Sequence, residues 1–230
     1  MAGGRGSRLA PLTTVLPKPL MPLGDRPILD VLMRQLMAAG VQRITICVAQ
    51  VNALIESWVN HQPAYAVPID FIYEEEPLGT AGALGMIDRP DGVFLALNGD
   101  VLTTVDFNAL RDRTAGSDAI ATMGVHERTI DIEYGVVHSH PDGSVARLEE
   151  KPQIRYTVSM GVYAMRPEIC DLIEHGERID FPDLLLRAIE RGSVVQTLPH
   201  DGYWRDIGNR DDYEAAIVDF EADASRFLPC

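Results

Sequence analysis

Residues 43–97, RITICVAQVNALIESWVNHQPAYAVPIDFIYEEEPLGTAGALGMIDRPDGVFLAL, decide the fold class. Within them three β-branched, apolar runs (Arg43–Ala49, Val67–Tyr73 and Val93–Leu97) are separated by helix-like stretches at Val51–Asn60 and Thr80–Ile87. Strands alternating with helical segments predict βα units on a mainly parallel sheet. Such sheets present their working groups at the C-terminal ends of the strands. The residues that follow Leu97 are therefore the first candidates for a site.

Towards the N-terminus, Asp25 and Pro27 predict a helix start, Ile28, Leu32 and Leu36 mark its apolar face, and Gly40 is the stop. Ahead of it lies a glycine-rich loop, Gly3-Gly4-Arg5-Gly6-Ser7-Arg8. Towards the C-terminus, 119–125, 134–138, 144–148 and 158–165 read as strands, with Pro141-Asp142-Gly143 as a turn. Pro167–His175 and Phe181–Arg191 read as helices, Ser193–Leu198 and Tyr203–Ile207 as short strands. A last helix carries Tyr213, Ile217 and Phe220 on one face. No Gly/Ser linker or internal repeat interrupts the chain. One domain, 1–230, is expected, with a nucleotide-facing half (1–117) and a more antiparallel half (118–230).

The 230 residues are 46% hydrophobic and 23% charged, which excludes disorder. A net charge of -14 argues against a nucleic-acid or anionic-lipid surface but permits a small anion in a locally basic pocket. No run approaches the ~20 apolar residues of a membrane span, and no signal-peptide core is present. Cys47, Cys170 and Cys230 are dispersed, which argues against disulfide frameworks and zinc knuckles. A cytoplasmic protein without nucleic-acid or membrane partners is expected.

Of the 20 basic residues only two are Lys, and both precede proline: Lys18-Pro19 and Lys151-Pro152. A compact ammonium in a rigid setting suits a phosphate oxygen, where a planar guanidinium fork would suit it less well. The glycine loop can wrap backbone N–H groups around phosphate. It is not a Walker A loop, and Leu9 stands where a dinucleotide fingerprint needs its third glycine. A nicotinamide-dependent oxidoreductase is excluded on that ground. Asn98-Gly99-Asp100 ends an apolar strand, where a carboxylate can hold a divalent cation against phosphate; an Asn-Gly turn is the plainer reading. Asp206 lies near another strand end and could share one Mg²⁺ with Asp100. Thr80 in Leu78-Gly79-Thr80-Ala81-Gly82 is either a helix N-cap or part of a turn that reads a base. Glu150 beside Lys151 suits a sugar hydroxyl next to a phosphate, or is an exposed ion pair. His138-x-His140 and Glu74-Glu75-Glu76 read as a solvent-facing hairpin end and a solvated loop.

Taken in order, AGGRGSRLAPLT, LPKPLMPLGDRPIL, EEEPLGTAGAL, LALNGD, EYGVV, EEKP, VSMGVY and GYWRDIGNRDDYEAA resemble the sugar-1-phosphate nucleotidyltransferases, from residue 2 to about 216. The resemblance implies a Rossmann-like α/β/α sandwich and transfer of a nucleoside monophosphate to a sugar 1-phosphate, with release of pyrophosphate. It implies that Gly3, Gly4, Gly6, Ser7, Arg8 and Lys18 hold the NTP, with Gly79 and Thr80 at the base. Asp100 and Asp206 would bind Mg²⁺, and Arg8, Lys18, Asp100 and Asp206 would form the catalytic set. Asn98, Gly135, Glu150 and Lys151 would contact the sugar phosphate. The LGTAG turn and the YWRDIG ending are most similar to the guanylyltransferase branch, which points to GTP.

The alternatives are a uridylyl- or thymidylyltransferase, or a non-catalytic NDP-sugar-binding regulatory subunit. The oligomeric state is left open, homo-oligomers included. Ser159 stands where several relatives have Asn. Relatives also begin with a β-strand leading into the glycine loop, and here two residues precede Gly3. That predicts a rearranged sheet, a borrowed strand or a poorly supported loop.

Overall fold

The computed structural model describes Met1, residues 9–49 and residues 53–228. A short hairpin, β1 (Pro22–Leu23) and β2 (Arg26–Pro27), precedes helix α1 (Ile28–Ala38). Then come β3 (Ile44–Ala49), α2 (Ala53–Asn60), β4 (Ile69–Glu74), β5 (Phe94–Leu97), β6 (Val101–Thr103) and α3 (Phe107–Ala115). The second half contains β7 (Ala121–Asp131), β8 (Val136–Ser139), β9 (Val145–Glu149), β10 (Gln153–Met165), α4 (Phe181–Glu190), β11 (Val195–Pro199), β12 (Trp204–Asp206) and α5 (Arg210–Ala222).

The order is α/β and the sheet is mixed. β3 and β4 pair in parallel, as do β11 and β7. β10 pairs antiparallel with both β7 and β5, so the four-stranded sheet runs β11-β7-β10-β5. β12 pairs antiparallel with β6, and β8 with β9. Among the described residues the β3/β4 pair stands as a sheet of its own.

Local chemistry explains the element ends. Pro27 precedes α1, whose Leu29, Leu32, Met33 and Leu36 are buried, and Gly40 (φ 81°) takes the left-handed conformation just beyond it. Asp106 caps α3 by accepting from the amides of Asn108 and Ala109, and Asn209 caps α5 by accepting from the amide of Asp212. The buried Asp30 is satisfied by Arg34 Nε (2.8 Å), Arg26 Nη1 (3.0 Å) and the Tyr65 hydroxyl (2.8 Å), tying α1 to the segment before β4. One apolar cluster lies between α1, β3, α2, α3 and β10, a second under α4, and a third under α5.

Two helix-like stretches form only 3-10 turns, at Gly82–Gly85 and Pro167–Leu172. The first is pinned against the second half: a Cβ on Gly82 would lie 2.4 Å from the Glu177 carbonyl oxygen. Tertiary contact has overridden the local pattern there. Helix α3 and strand β6 fall in a segment for which no element was expected. The Asp106 N-cap was the signal for α3 that pattern reading passed over.

Candidate active site

The chemistry gathers where β5 ends. The Asn98 amide donates to the Gly161 carbonyl (2.9 Å). The β10 register shifts between Ser159 and Tyr163, and Gly161 adopts φ 69°. A Cβ on Gly161 would stand 2.5 Å from Asn98 Nδ2, so the glycine is what lets the Asn98 side chain lie against β10. The Ser159 hydroxyl lies 3.0 Å from the Tyr163 hydroxyl, inside the same irregularity.

Lys18 Nζ donates to Asp100 Oδ2, joining the Pro-flanked 3-10 turn Lys18–Leu20 to the end of β5. The lysine side chain is only 11% exposed, so the contact is not a solvent-screened surface pair. Asp100 Oδ1 and Asn98 Oδ1 are buried and, among the described residues, have no hydrogen-bond partner. Two acceptor oxygens left unpaired in one corner are costly unless a ligand or cation meets them.

Asp206 reaches the same corner through backbone pairing. It faces Val101 in the β12/β6 register, and the Ile207 amide donates to the Asp100 carbonyl (3.0 Å). Trp204 fixes β12 over β10 by donating its indole N–H to the Met160 carbonyl (2.9 Å) and packs against the His126 ring. A polar cleft of about 260 Å³, bordered by His126, Thr129, Trp204, Asp206 and Asp212, opens beside it. Among the described residues no group of three His, Cys, Asp or Glu forms a self-sufficient metal cage. The set instead fits Mg²⁺, which takes one or two carboxylates and completes its shell with phosphate oxygens and water. The unpaired Asp100 Oδ1 is the observation that supports the fit.

Of the other expected residues, Gly3, Gly4, Gly6, Ser7 and Arg8 lie outside the described residues. Gly79 has φ 80°, and a Cβ there would meet the Ile179 carbonyl at 2.6 Å. Thr80 is a cap, but not of its own turn. Its amide donates to Asp180 Oδ1 (2.7 Å) and its hydroxyl accepts from the Phe181 amide (2.9 Å), at the start of α4. Gly135 and Glu150 are together, since a Cβ on Gly135 would be 3.1 Å from Glu150 Oε2. Lys151 follows in a left-handed conformation (φ 46°) at the turn into β10. These three are exposed at the Gln153 end of β10, while Asn98 lies against Gly161 further along it. His138 and His140 are exposed at a hairpin end, as expected.

One carboxylate escaped the sequence reading. Glu74 is not part of a solvated run: it is the last residue of β4 and only 4% exposed, while Glu75 and Glu76 are exposed. Burial pushes its carboxyl up, against the opposing pull of the Met1 ammonium and a hydrogen bond from the Leu78 amide. The signal was positional, since β4 runs one residue further than its apolar run.

Comparison with known proteins gives a consistent picture. The family model described as nucleotidyl transferase matches residues 1–223. Mannose-1-phosphate guanyltransferase of Yarrowia lipolytica is 33% identical over 225 residues, covering 93% of this chain and 61% of its own length. UTP--glucose-1-phosphate uridylyltransferase of Synechocystis is 30% identical over 239 residues, covering 94% and 61%. The chain thus spans about three fifths of the length of the curated relatives it matches, 61% in both cases. Among solved structures, HddC from Yersinia pseudotuberculosis is 27% identical with a TM-score of 0.70, covering 95% of this chain and 96% of that one. The same protein complexed with GMP-PN is 28% identical, also with a TM-score of 0.70.

Proposed function

Because the chain belongs to the nucleotidyl transferase family, we propose that it joins an NTP, GTP by preference, to a sugar 1-phosphate, giving an NDP-sugar and pyrophosphate. The observation that carries this reading is the corner at the end of β5. Lys18, Asp100 and the backbone of Asp206 and Ile207 are held together there, beside two buried acceptor oxygens that no described residue meets.

The reaction is an in-line attack by a phosphate oxygen of the sugar 1-phosphate on the α-phosphorus, with pyrophosphate as the leaving group. Nothing covalent is asked of the protein, so its work is positioning and charge neutralisation. Asp100 and Asp206 would hold Mg²⁺, which supplies positive charge against the phosphate oxygens. Lys18 exchanges its Asp100 partner for a phosphate oxygen when the nucleotide arrives, and that exchange releases the Asp100 carboxylate. Gly3, Gly4, Gly6, Ser7 and Arg8 hold the triphosphate on backbone N–H groups and a guanidinium. Gly79 and Thr80 shape the turn beside the base.

Glu74, buried next to that turn, presents two acceptor oxygens and no donor in its ionised form. That complements the adjacent N1–H and N2–H donors of guanine, a pattern uracil and thymine lack. On the sugar side we assign Asn98, Gly135, Glu150 and Lys151. This makes residues 1–117 mainly the nucleotide half and 118–230 mainly the sugar-phosphate half of one domain. The guanyltransferase relative and the HddC complex with GMP-PN support GTP. The Synechocystis relative makes UTP the competitor to test.

The experiment is pyrophosphate release over GTP, ATP, UTP, CTP and dTTP crossed with mannose, glucose, heptose and glucosamine 1-phosphates. The expected result is release that needs both substrates and is fastest with GTP. A higher kcat/KM for UTP or dTTP with every sugar phosphate refutes the base assignment. Binding of NDP-sugar without turnover in any pair refutes the enzyme reading.

A further inference from the structure

The two carboxylates assigned to the cation share one end of a short ribbon. Asp100 immediately precedes β6, and Asp206 closes β12 opposite Val101, the first residue of β6. The other end is the Thr103–Trp204 pair, about 7 Å away at strand spacing. Whatever holds the far end of so short a ribbon also sets the direction in which both carboxylates are presented.

The far end is held by a side chain with no part in the reaction itself. Gln35, in the last turn of α1, donates from Nε2 to the Thr103 carbonyl (2.9 Å) and to the Phe227 carbonyl (2.9 Å). Both acceptors are carbonyl oxygens, so the carboxamide must turn its nitrogen toward them, and both of its N–H donors are spent. Phe227 is 2% exposed; its ring meets Tyr203 edge-on (4.9 Å, 80°) and stacks with Phe220 of α5 (5.8 Å). Tyr203 leads directly into β12, and its carbonyl accepts from the Thr104 amide (3.0 Å) and the Thr103 hydroxyl (3.2 Å). The clamp thus joins α1, the end of β6 and the segment after α5. Its base is rigid, since Leu32, Met33 and Leu36 around Gln35 are buried.

We propose that Gln35 is a positioning residue for the cation pair, acting through Thr103 and Phe227 to hold Asp100 and Asp206 at one separation. The proposal rests on the reading of those two aspartates as cation ligands. Mg²⁺ demands near-ideal octahedral geometry, so slack in the ribbon is felt first as lost cation affinity. Groups that orient ligands from behind typically control metal affinity by about 10–100-fold. A glutamate at this position would keep the shape but turn acceptors toward two carbonyl oxygens, and a methionine would keep the bulk without a donor. Glu150 and Lys151 sit at the Gln153 end of β10, apart from this ribbon, so use of the sugar phosphate should be spared.

The test reads cation binding without turnover. Mn²⁺, which suits the same oxygen ligands, is titrated into the unsubstituted chain, Gln35→Met, Gln35→Glu, Asp206→Asn and Val59→Ala, with free ion followed by its EPR signal. Val59 is buried in α2 outside the clamp, and its truncation controls for lost stability alone. Circular dichroism checks folding, and Gln35→Met carries the test if Gln35→Glu does not fold. The expected result is about tenfold weaker Mn²⁺ binding in the Gln35 variants, loss of binding in Asp206→Asn, and no change in Val59→Ala. In steady state the Mg²⁺ requirement of the Gln35 variants should rise in step, with KM for the sugar phosphate unmoved. Unchanged affinity in Gln35→Met, or an equal loss in Val59→Ala, overturns the positioning role while leaving the cation reading in place. Mn²⁺ that no chain binds, or that Asp206→Asn binds as tightly as the unsubstituted chain, overturns the cation reading and the proposal with it.

Discussion

Replacing Gly161 with Ala adds one methyl group where the structure has no room for it. The backbone there has φ 69°, and left-handed geometry costs an L-residue roughly 1–2 kcal/mol. The new Cβ would stand 2.5 Å from Asn98 Nδ2 and 3.0 Å from its Cγ, so the Asn98 side chain has to leave its place. Inserting a carbon into a packed site costs typically about 1–3 kcal/mol. The sum predicts a loss of about 2–5 kcal/mol, read from urea denaturation with an unchanged m-value. Turnover should fall with it, because Asn98 lies two residues before Asp100 on the same strand end. A double-mutant cycle with Asn98→Ala separates the two costs: the double variant should recover the steric part and keep the backbone part. A single-variant loss under about 0.5 kcal/mol, the range of ordinary surface changes, would refute the reasoning, and so would a double variant no better than the single one.

Asp100→Asn and Asp206→Asn should each cut pyrophosphate release by orders of magnitude while leaving the circular dichroism spectrum intact; near-normal Mg²⁺-dependent turnover in either contradicts their assignment as cation ligands. Lys18→Ala should raise the apparent KM for the nucleotide far more than that for the sugar phosphate, and Lys151→Ala the reverse. Equal effects of both variants on both substrates would dissolve that division. Glu74 makes a pH prediction. Its folded pKa is raised by burial, so ionising it weakens the folded state. That penalty is absent below the unfolded carboxylate value, about 4.3, grows as pH rises from there through the folded value, and is complete above it. The stability of Glu74→Gln minus that of the unsubstituted chain should rise across the same window in denaturation at stepped pH; a difference that shrinks with pH would show that burial is not what sets this carboxyl.

Much of this architecture was legible because periodicity and punctuation agree. The helix from Ile28 to Ala38 is bracketed by Pro27 and Gly40, and the strands at Ile44–Ala49 and Phe94–Leu97 are apolar runs with turn signals beyond them. Asp100 and Asp206 could be picked out singly as strand-end carboxylates, but their shared corner follows from the β12/β6 register, which spans about a hundred residues that no local pattern connects. The same holds for Lys18 with Asp100. Thr80 was legible as a cap, yet the helix it caps begins at Phe181. Glu74 was misread because three consecutive glutamates look solvated, and only burial separates the first from the other two. Among the described residues the β3/β4 pair stands apart from the sheet that holds β5, a division that no local pattern marks.

The central claim is tested most directly by following the α-phosphate. The purified chain is incubated with Mg²⁺, mannose 1-phosphate and GTP radiolabelled at the α-phosphorus, and the products are separated. The account predicts label in GDP-sugar with one pyrophosphate per transfer, dependent on sugar phosphate, and lost in Asp100→Asn. Label that stays in GTP across the sugar 1-phosphates, from a folded chain that still binds NDP-sugar, would contradict it.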